Sequence, residues 1–174
     1  MTPENPLVCV CVPAYNAEAT IAESLRSILS QDYERLKVIL VDNASTDGTA
    51  EIARGLASGD PRLTIFRAET NVGGEANFTR CIELADGDYT AIYHADDVYS
   101  PGMVRMEVEF LSRWPEAGAI FTGAYDIGAD GSRTGRRRRT PAALSDGRPH
   151  GFTEVFREVL RRGNFMIFPS AMVR

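Results

Sequence analysis

A chain of 174 residues with 44% hydrophobic content is long enough for one globular domain with a sizeable core, and reads as soluble. No stretch approaches the roughly 20 uncharged apolar residues of a membrane-spanning helix, and MTPENPLVCVCVPAYN has no basic region ahead of its apolar run, which argues against a secretory signal. The net charge of −5 hides a division: residues 1–132 carry 9 basic and 21 acidic side chains and residues 133–174 carry 10 and 3, or −12 against +7, so the second part is suited to meet something anionic.

Leu7 to Val12 is an apolar, β-branched run stopped by Pro13, as in strands buried on both faces of a parallel sheet. The turn Pro13-Ala14-Tyr15-Asn16 leads to a helix over Glu18–Ser30, with Ile21, Leu25, Ile28 and Leu29 on one stripe. Leu36–Val41 repeats the strand pattern and ends in the polar cluster Asp42–Thr49, which supplies a helix cap, with Ile52, Ala53 and Leu56 facing inward. A strand over Leu63–Arg67, a break at Gly73-Gly74, a helix from about Glu75 to Ala85 and a strand over Tyr89–Tyr93 then lead to Asp96-Asp97. Ser100-Pro101 reads as a helix start, with Ser100 as cap, and that helix continues to about Arg113 through Val104, Val108 and Leu111. Gly118–Gly123 reads as a further strand, Asp126–Pro149 as a long mobile loop holding Arg136-Arg137-Arg138-Arg139, Phe152–Arg162 as a helix and Phe165–Phe168 as a last strand. The alternation implies an α/β fold with a mainly parallel sheet and helices on both faces. Residues 1–125 are expected to form a core unit, and 126–174 a basic loop followed by a partial further region.

Cys9, Cys11 and Cys81 include no C-x-x-C pair, and Cys9 and Cys11 point the same way from one strand, so free thiols in a reducing cytoplasm are expected. Three strand ends gather polar groups on one sheet edge: Pro13–Asn16, Asp42–Asp47 and Asp96-Asp97. In open α/β sheets ligands bind in the crevice outside the carboxyl ends of the strands. Tyr15 offers a flat face for a base and Asp42 an acceptor for a base or ribose, while Asp96 and Asp97 suit Mg²⁺ or Mn²⁺ against a diphosphate. Taken singly each has a plainer role. Tyr15 covers the sheet edge, Asp42 and Asp47 cap a helix, for Asp47 in preference to binding a ligand, Asp96-Asp97 makes an ordinary acidic turn, and His94 is a hydrogen-bonded neighbour in preference to a ligand. No Walker A or G-x-G-x-x-G sequence is present, and no aromatic residue interleaves with the arginine run, which argues against nucleic acid.

The pieces VCVCVPAYN, VILVDNASTDGT, NVGGEANFTRCIELADGDY and HADDVYSP, in that order, resemble the signatures of family 2 glycosyltransferases of the GT-A fold, a Rossmann-like nucleotide-diphospho-sugar transferase architecture. The resemblance covers about Leu7 to Leu111. It implies transfer of a sugar from a nucleotide diphosphate sugar to a saccharide or lipid-linked acceptor with inversion, in cell-surface polysaccharide or glycoconjugate synthesis. It implies that Pro13, Tyr15 and Asp42 line the nucleotide pocket, that Asn71 and Gly73 match an N-x-G element beside the nucleotide, and that Asp96 and Asp97 match the DXD metal motif with Mg²⁺ or Mn²⁺. Two departures are His94 where many members have an acid (D-A-D-D) and Asn77-Phe78-Thr79 in place of A-R-N. Inversion needs a general base. In the family it lies well beyond the metal motif, so the chain is read as truncated before it, with Asp126 and Glu154 as the nearest remaining candidates for the base. The alternative is a module that binds nucleotide sugar without turnover. A nucleotidyltransferase, which starts on a Gly-rich phosphate loop, fits PAYNAEAT poorly. The basic second part is further expected to touch an anionic membrane peripherally, at the inner face.

Overall fold

The computed structural model describes residues 5–128, 130–138 and 140–174, and of residues 136–138 the backbone only. Strands β1 (Val8–Ala14), β2 (Leu36–Asp42), β3 (Leu63–Arg67) and β4 (Tyr89–Ile92) run parallel in the order β3-β2-β1-β4. Helices α1 (Ile21–Leu29), α2 (Thr49–Ala57) and α3 (Gly74–Leu84) connect them, and α4 (Met103–Arg113) follows β4. The chain builds outward from β1 to β3, then returns to set β4 on the other side of β1. That reversal opens a crevice between the carboxyl ends of β1 and β4.

The two-residue period of β1 sorts the core. Val8, Val10 and Val12 face Ile21, Leu25 and Ile28 of α1, Ala53 of α2, and Val104, Val108 and Leu111 of α4. Cys9 and Cys11 face the other way, toward Cys81 and Phe78 of α3, with Ile39, Val41 and Ile92 beside them. Every residue from Val8 to Val12 is fully buried, and each such aliphatic side chain contributes about 1.5–3 kcal/mol. All three cysteines are buried free thiols; Cys11 Sγ donates to the Cys81 carbonyl at 3.2 Å, and burial pushes the Cys81 thiol up to about 12. The β1–β4 pairing depends on Gly87, where a Cβ would lie 2.5 Å from the Tyr89 carbonyl oxygen and 2.6 Å from the Cys9 nitrogen. No side chain fits that approach.

Four expectations change. The expected strand Phe165–Phe168 does not form. Its end opens a 3₁₀ turn, Phe168–Ser170, and the last strand is β8 (Met172–Val173), inserted antiparallel between β4 and β5 (Ala119–Ile120). Strand β5 itself is far shorter than Gly118–Gly123. The long loop is partly a hairpin of β6 (Ala124–Ile127) and β7 (Arg133–Arg138), in which the backbone of Arg137 and Arg138 pairs with Tyr125 and Ala124; Arg139 lies outside the described residues. Its pairing is hidden in the sequence because the outer strand is basic and β6 has no fully buried position to impose a clear alternation. Finally, Ser100 does not cap α4. Gln31, at the end of α1, does so from a distance: its Oε1 accepts from Val104 N at 3.0 Å while its Nε2 donates to the Ser100 carbonyl at 2.9 Å.

Candidate functional site

The polar ends of β1, β2 and β4 meet at one cleft of about 520 Å³. Its walls include Pro13, Tyr15 and Asn16 after β1, Asn43 after β2, Asn71 and Gly73 before α3, and His94 and Asp96 after β4. The chain stays tight at β1 and β2 because Asn16 and Ala44 both adopt left-handed backbone, with φ of 50° and 60°. For Ala44 that conformation is strained, and neighbours must hold it. Asn43 N donates to the Ala14 carbonyl at 2.9 Å, Asn16 N donates to Ser45 Oγ at 3.0 Å, and Thr46 N donates to Asn16 Oδ1 at 2.9 Å, so the two strand ends are cross-linked.

The residues singled out in the sequence take distinct places. Tyr15 is 49% exposed and lines the cleft. Asn71 Oδ1 accepts from Asn43 Nδ2 and from Gly73 N, both at 2.8 Å, and Gly73 sits at φ 86°, which favours glycine. Asp42 is not in the cleft wall. Its carboxylate is fully buried, with Oδ1 accepting from Ser45 N at 3.0 Å and Oδ2 lying 3.3 Å from Arg67 Nε. Asp47 takes the capping part: its Oδ1 accepts from Thr49 N at 3.0 Å and its Oδ2 from Glu18 N at 3.1 Å. The Thr49 hydroxyl and these amides hold the Asp47 carboxyl below the usual carboxylate range.

Asp96 and Asp97 stand beside His94, with one possible ligand atom from each of the three lying within 4.8 Å of the others. Asp96 is exposed and lines the cleft; Asp97 Oδ2 is 3.9 Å from His94 Nδ1. Two carboxylates and an imidazole at the rim of a crevice form a donor set that suits a divalent cation. Asp126 and Glu154 do not line this cleft. Asp126 is on β6, and Glu154 is engaged by Gly151 N at 3.1 Å and Arg148 at 3.3 Å. Residues the sequence reading passed over include Asn43, which bridges Asn71 and the Gly73 carbonyl, and Arg67, which meets Asp42 across the β2–β3 register and donates to the Ser45 carbonyl at 2.8 Å. Only the position of Asn43 directly after Asp42 hinted at it. A larger cavity of about 720 Å³ lies elsewhere, between β5, the segment 140–151 and residues 165–167, and contains none of the strand-end residues.

Comparison with known proteins agrees with this arrangement. EpsE and TuaG of Bacillus subtilis, the second named for teichuronic acid biosynthesis, are 36% and 31% identical to the chain over 84% and 83% of its length. The matched regions are 55% and 57% of those proteins, so the chain spans about half the length of the curated relatives it matches. The mannosyltransferase PcManGT of Pyrobaculum calidifontis, solved in complex with GDP-Man and Mn²⁺, superposes with a TM-score of 0.64 at 32% identity over 69% of this chain and 36% of its own. The architecture is that of the GT-A glycosyltransferases. The family model for glycosyl transferase family 2 matches residues 9–174, nearly the whole chain, and the chain belongs to that family.

Proposed function

We propose that this chain is the donor-binding part of a metal-dependent glycosyltransferase that moves a sugar from a nucleotide diphosphate sugar to an acceptor hydroxyl with inversion. The observation that carries the reading is the convergence of three strand ends on one cleft, with His94, Asp96 and Asp97 at its rim. Pro13 and Tyr15 form the base end, Tyr15 offering its exposed ring for stacking. Asp42, buried against Arg67, fixes the loop that carries Asn43. Asn71 and Gly73 flank the nucleotide, Asp96 faces the ribose and diphosphate, and Asp96 with Asp97 holds Mg²⁺ or Mn²⁺. A bound cation supplies positive charge opposite the departing diphosphate. The complex of PcManGT with GDP-Man and Mn²⁺ supports a donor and ion of this class.

The name of TuaG supports a role in cell-surface polysaccharide synthesis. A peripheral contact with anionic membrane is supported by helix α5 (Phe152–Arg162), whose Phe152, Phe156 and Leu160 are exposed beside Arg157 and Arg161. No described helix is long and apolar enough to cross a membrane. A second reading, donor binding without turnover, is favoured by one fact: among the described residues Asp96 is the only carboxylate in the cleft wall, and neither Asp126 nor Glu154 is there to act as base.

Calorimetric titration with GDP or UDP tests the shared premise. Tight binding should require Mn²⁺ or Mg²⁺, fall to the weak metal-free level in Asp97→Ala and weaken by at least about tenfold in Asp42→Ala. Absence of nucleotide binding with metal present would overturn both readings. A transfer or donor-hydrolysis assay on the same protein then separates enzyme from module.

A further inference from the structure

The side chain at the cleft rim that the donor-binding reading leaves without a task is His94. We propose that His94 supplies an imidazole nitrogen to the divalent cation held by Asp96 and Asp97, and that this donor makes the site select Mn²⁺ over Mg²⁺. The inference rests on the donor-binding reading and adds a ligand and an ion preference to it.

The main chain of His94 is clamped on both sides. Its N–H donates to Tyr99 Oη at 2.6 Å, and its carbonyl accepts from Ser24 Oγ at 2.9 Å. Tyr99 in turn is stacked on the buried ring of Tyr93, centroids 4.0 Å apart and planes within 7°. The imidazole therefore hangs from a fixed point at the end of β4 and lines the cleft next to Asp96.

Its ring nitrogens have no hydrogen-bond partner among the described residues; the nearest charged group is Asp97 Oδ2, 3.9 Å from Nδ1. That distance is too long for a hydrogen bond. It falls inside the span of ~4.2 Å available to two donors that each sit ~2.1 Å from a shared ion. One ligand atom from each of His94, Asp96 and Asp97 lies within 4.8 Å of the others, and none of the three residues is buried. Phe168 makes a ring contact with His94, centroids 6.3 Å apart, and the Asp97 carboxylate stands at ligand spacing.

The chemistry of the set then chooses the ion. Carboxylates suit Mg²⁺, Ca²⁺ and Mn²⁺, whereas imidazole suits first-row transition ions. Of the three ions that carboxylates suit, Mn²⁺ alone is a transition ion able to gain from a nitrogen donor. Mg²⁺ takes oxygen ligands, keeps several of its waters and gains nothing from a nitrogen donor.

The test is pulsed electron paramagnetic resonance of the protein with Mn²⁺ and GDP or UDP. Bound Mn²⁺ should show nitrogen modulation from one imidazole, converted to the ¹⁵N pattern when histidine is ¹⁵N-labelled and lost in His94→Asp. The other histidine, His150, lines the separate larger cavity and cannot supply it. In His94→Asp the preference for Mn²⁺ over Mg²⁺, read from competition titrations, should fall by at least about tenfold, the scale on which altered ligand shells act. Circular dichroism establishes that the variant is folded; if it is not, the labelling result on the unaltered protein decides. Bound Mn²⁺ without nitrogen modulation, or modulation that survives in His94→Asp, overturns the role of His94 and leaves the donor-binding reading standing. Failure of Mn²⁺ to bind with either nucleotide overturns both.

Discussion

Glu107 sits on α4 with no exposed surface; its Oε2 accepts from the Tyr93 hydroxyl at 3.0 Å, and its Oε1 meets no donor among the described residues. Burial pushes its carboxyl up to about 8, so the folded protein holds a proton there that the unfolded chain gives up near the ordinary value of about 4.3. Between those two values the native state binds more protons than the unfolded one, so stability falls as pH rises and levels off above about 8. Urea unfolding across that interval should show the unaltered protein losing a few kcal/mol more than Glu107→Gln, which cannot ionise. Parallel curves for the two would rule this out. Other single residues differed in how openly the sequence displayed them. Tyr15, Asp96 and Asp97 were legible because each ends an apolar run, where a polar or aromatic group has few structural reasons to stand. Asn43 and Arg67 were not, since their partners, Asn71 and Asp42, lie 28 and 25 positions away in the chain and only strand pairing brings them together. Asp42 was legible as a polar strand end but not as a buried one, because its ion pair with Arg67 depends on the register of β2 against β3.

At the scale of elements, periodicity identified β1 to β4 and the helices that follow them, because buried strands and one-faced helices leave regular apolar spacing. It failed at β8 and the β6–β7 hairpin. A two-residue strand carries no period, and the basic sequence of β7 marks no apolar face. Helix α5 was legible, yet its surroundings were not. Phe152 and Leu160 are 79% and 72% exposed, and the rings of Phe152 and Phe156 stack with centroids 5.3 Å apart, so a row of apolar side chains faces outward beside Arg157 and Arg161. That combination suits an anionic lipid surface, where each basic side chain contributes about 1 kcal/mol. Sedimentation with vesicles containing phosphatidylserine should recover the protein at low salt and release it at high salt. Arg157→Gln should weaken recovery about fivefold, and Leu160→Ser should weaken it further. Equal binding to neutral vesicles, or none to anionic ones, would remove the membrane contact from the proposal. Arg157 is the arginine to change because Arg161 and Arg162 pair with the buried Glu158, and altering them would disturb the helix as well as its surface.

For the molecule as a whole, the order β3-β2-β1-β4 sets the crevice, and the charge division sets what surrounds it. The cleft lies in the acidic part of the chain, at −12 over residues 1–132, so an anionic nucleotide diphosphate approaches against the prevailing charge unless a cation comes with it. Metal and nucleotide should therefore be linked: each raises the affinity of the other by the same factor, because the coupling free energy belongs to the pair. Thermal unfolding reads that coupling without any assay of turnover. A ligand at a hundred times its dissociation constant stabilises the folded state by about 2.7 kcal/mol, which in a domain of this size raises the midpoint by roughly 5–10 °C. Mn²⁺ alone and GDP or UDP alone should each produce a small shift, and the two together a shift well above their sum. In Asp97→Ala the excess should disappear while any small shift from nucleotide alone persists, since Tyr15, Asn71 and Gly73 remain in the cleft wall. Strictly additive shifts in the unaltered protein would mean that the ion and the nucleotide bind independently, and Asp96-Asp97 would then have no part in holding a diphosphate.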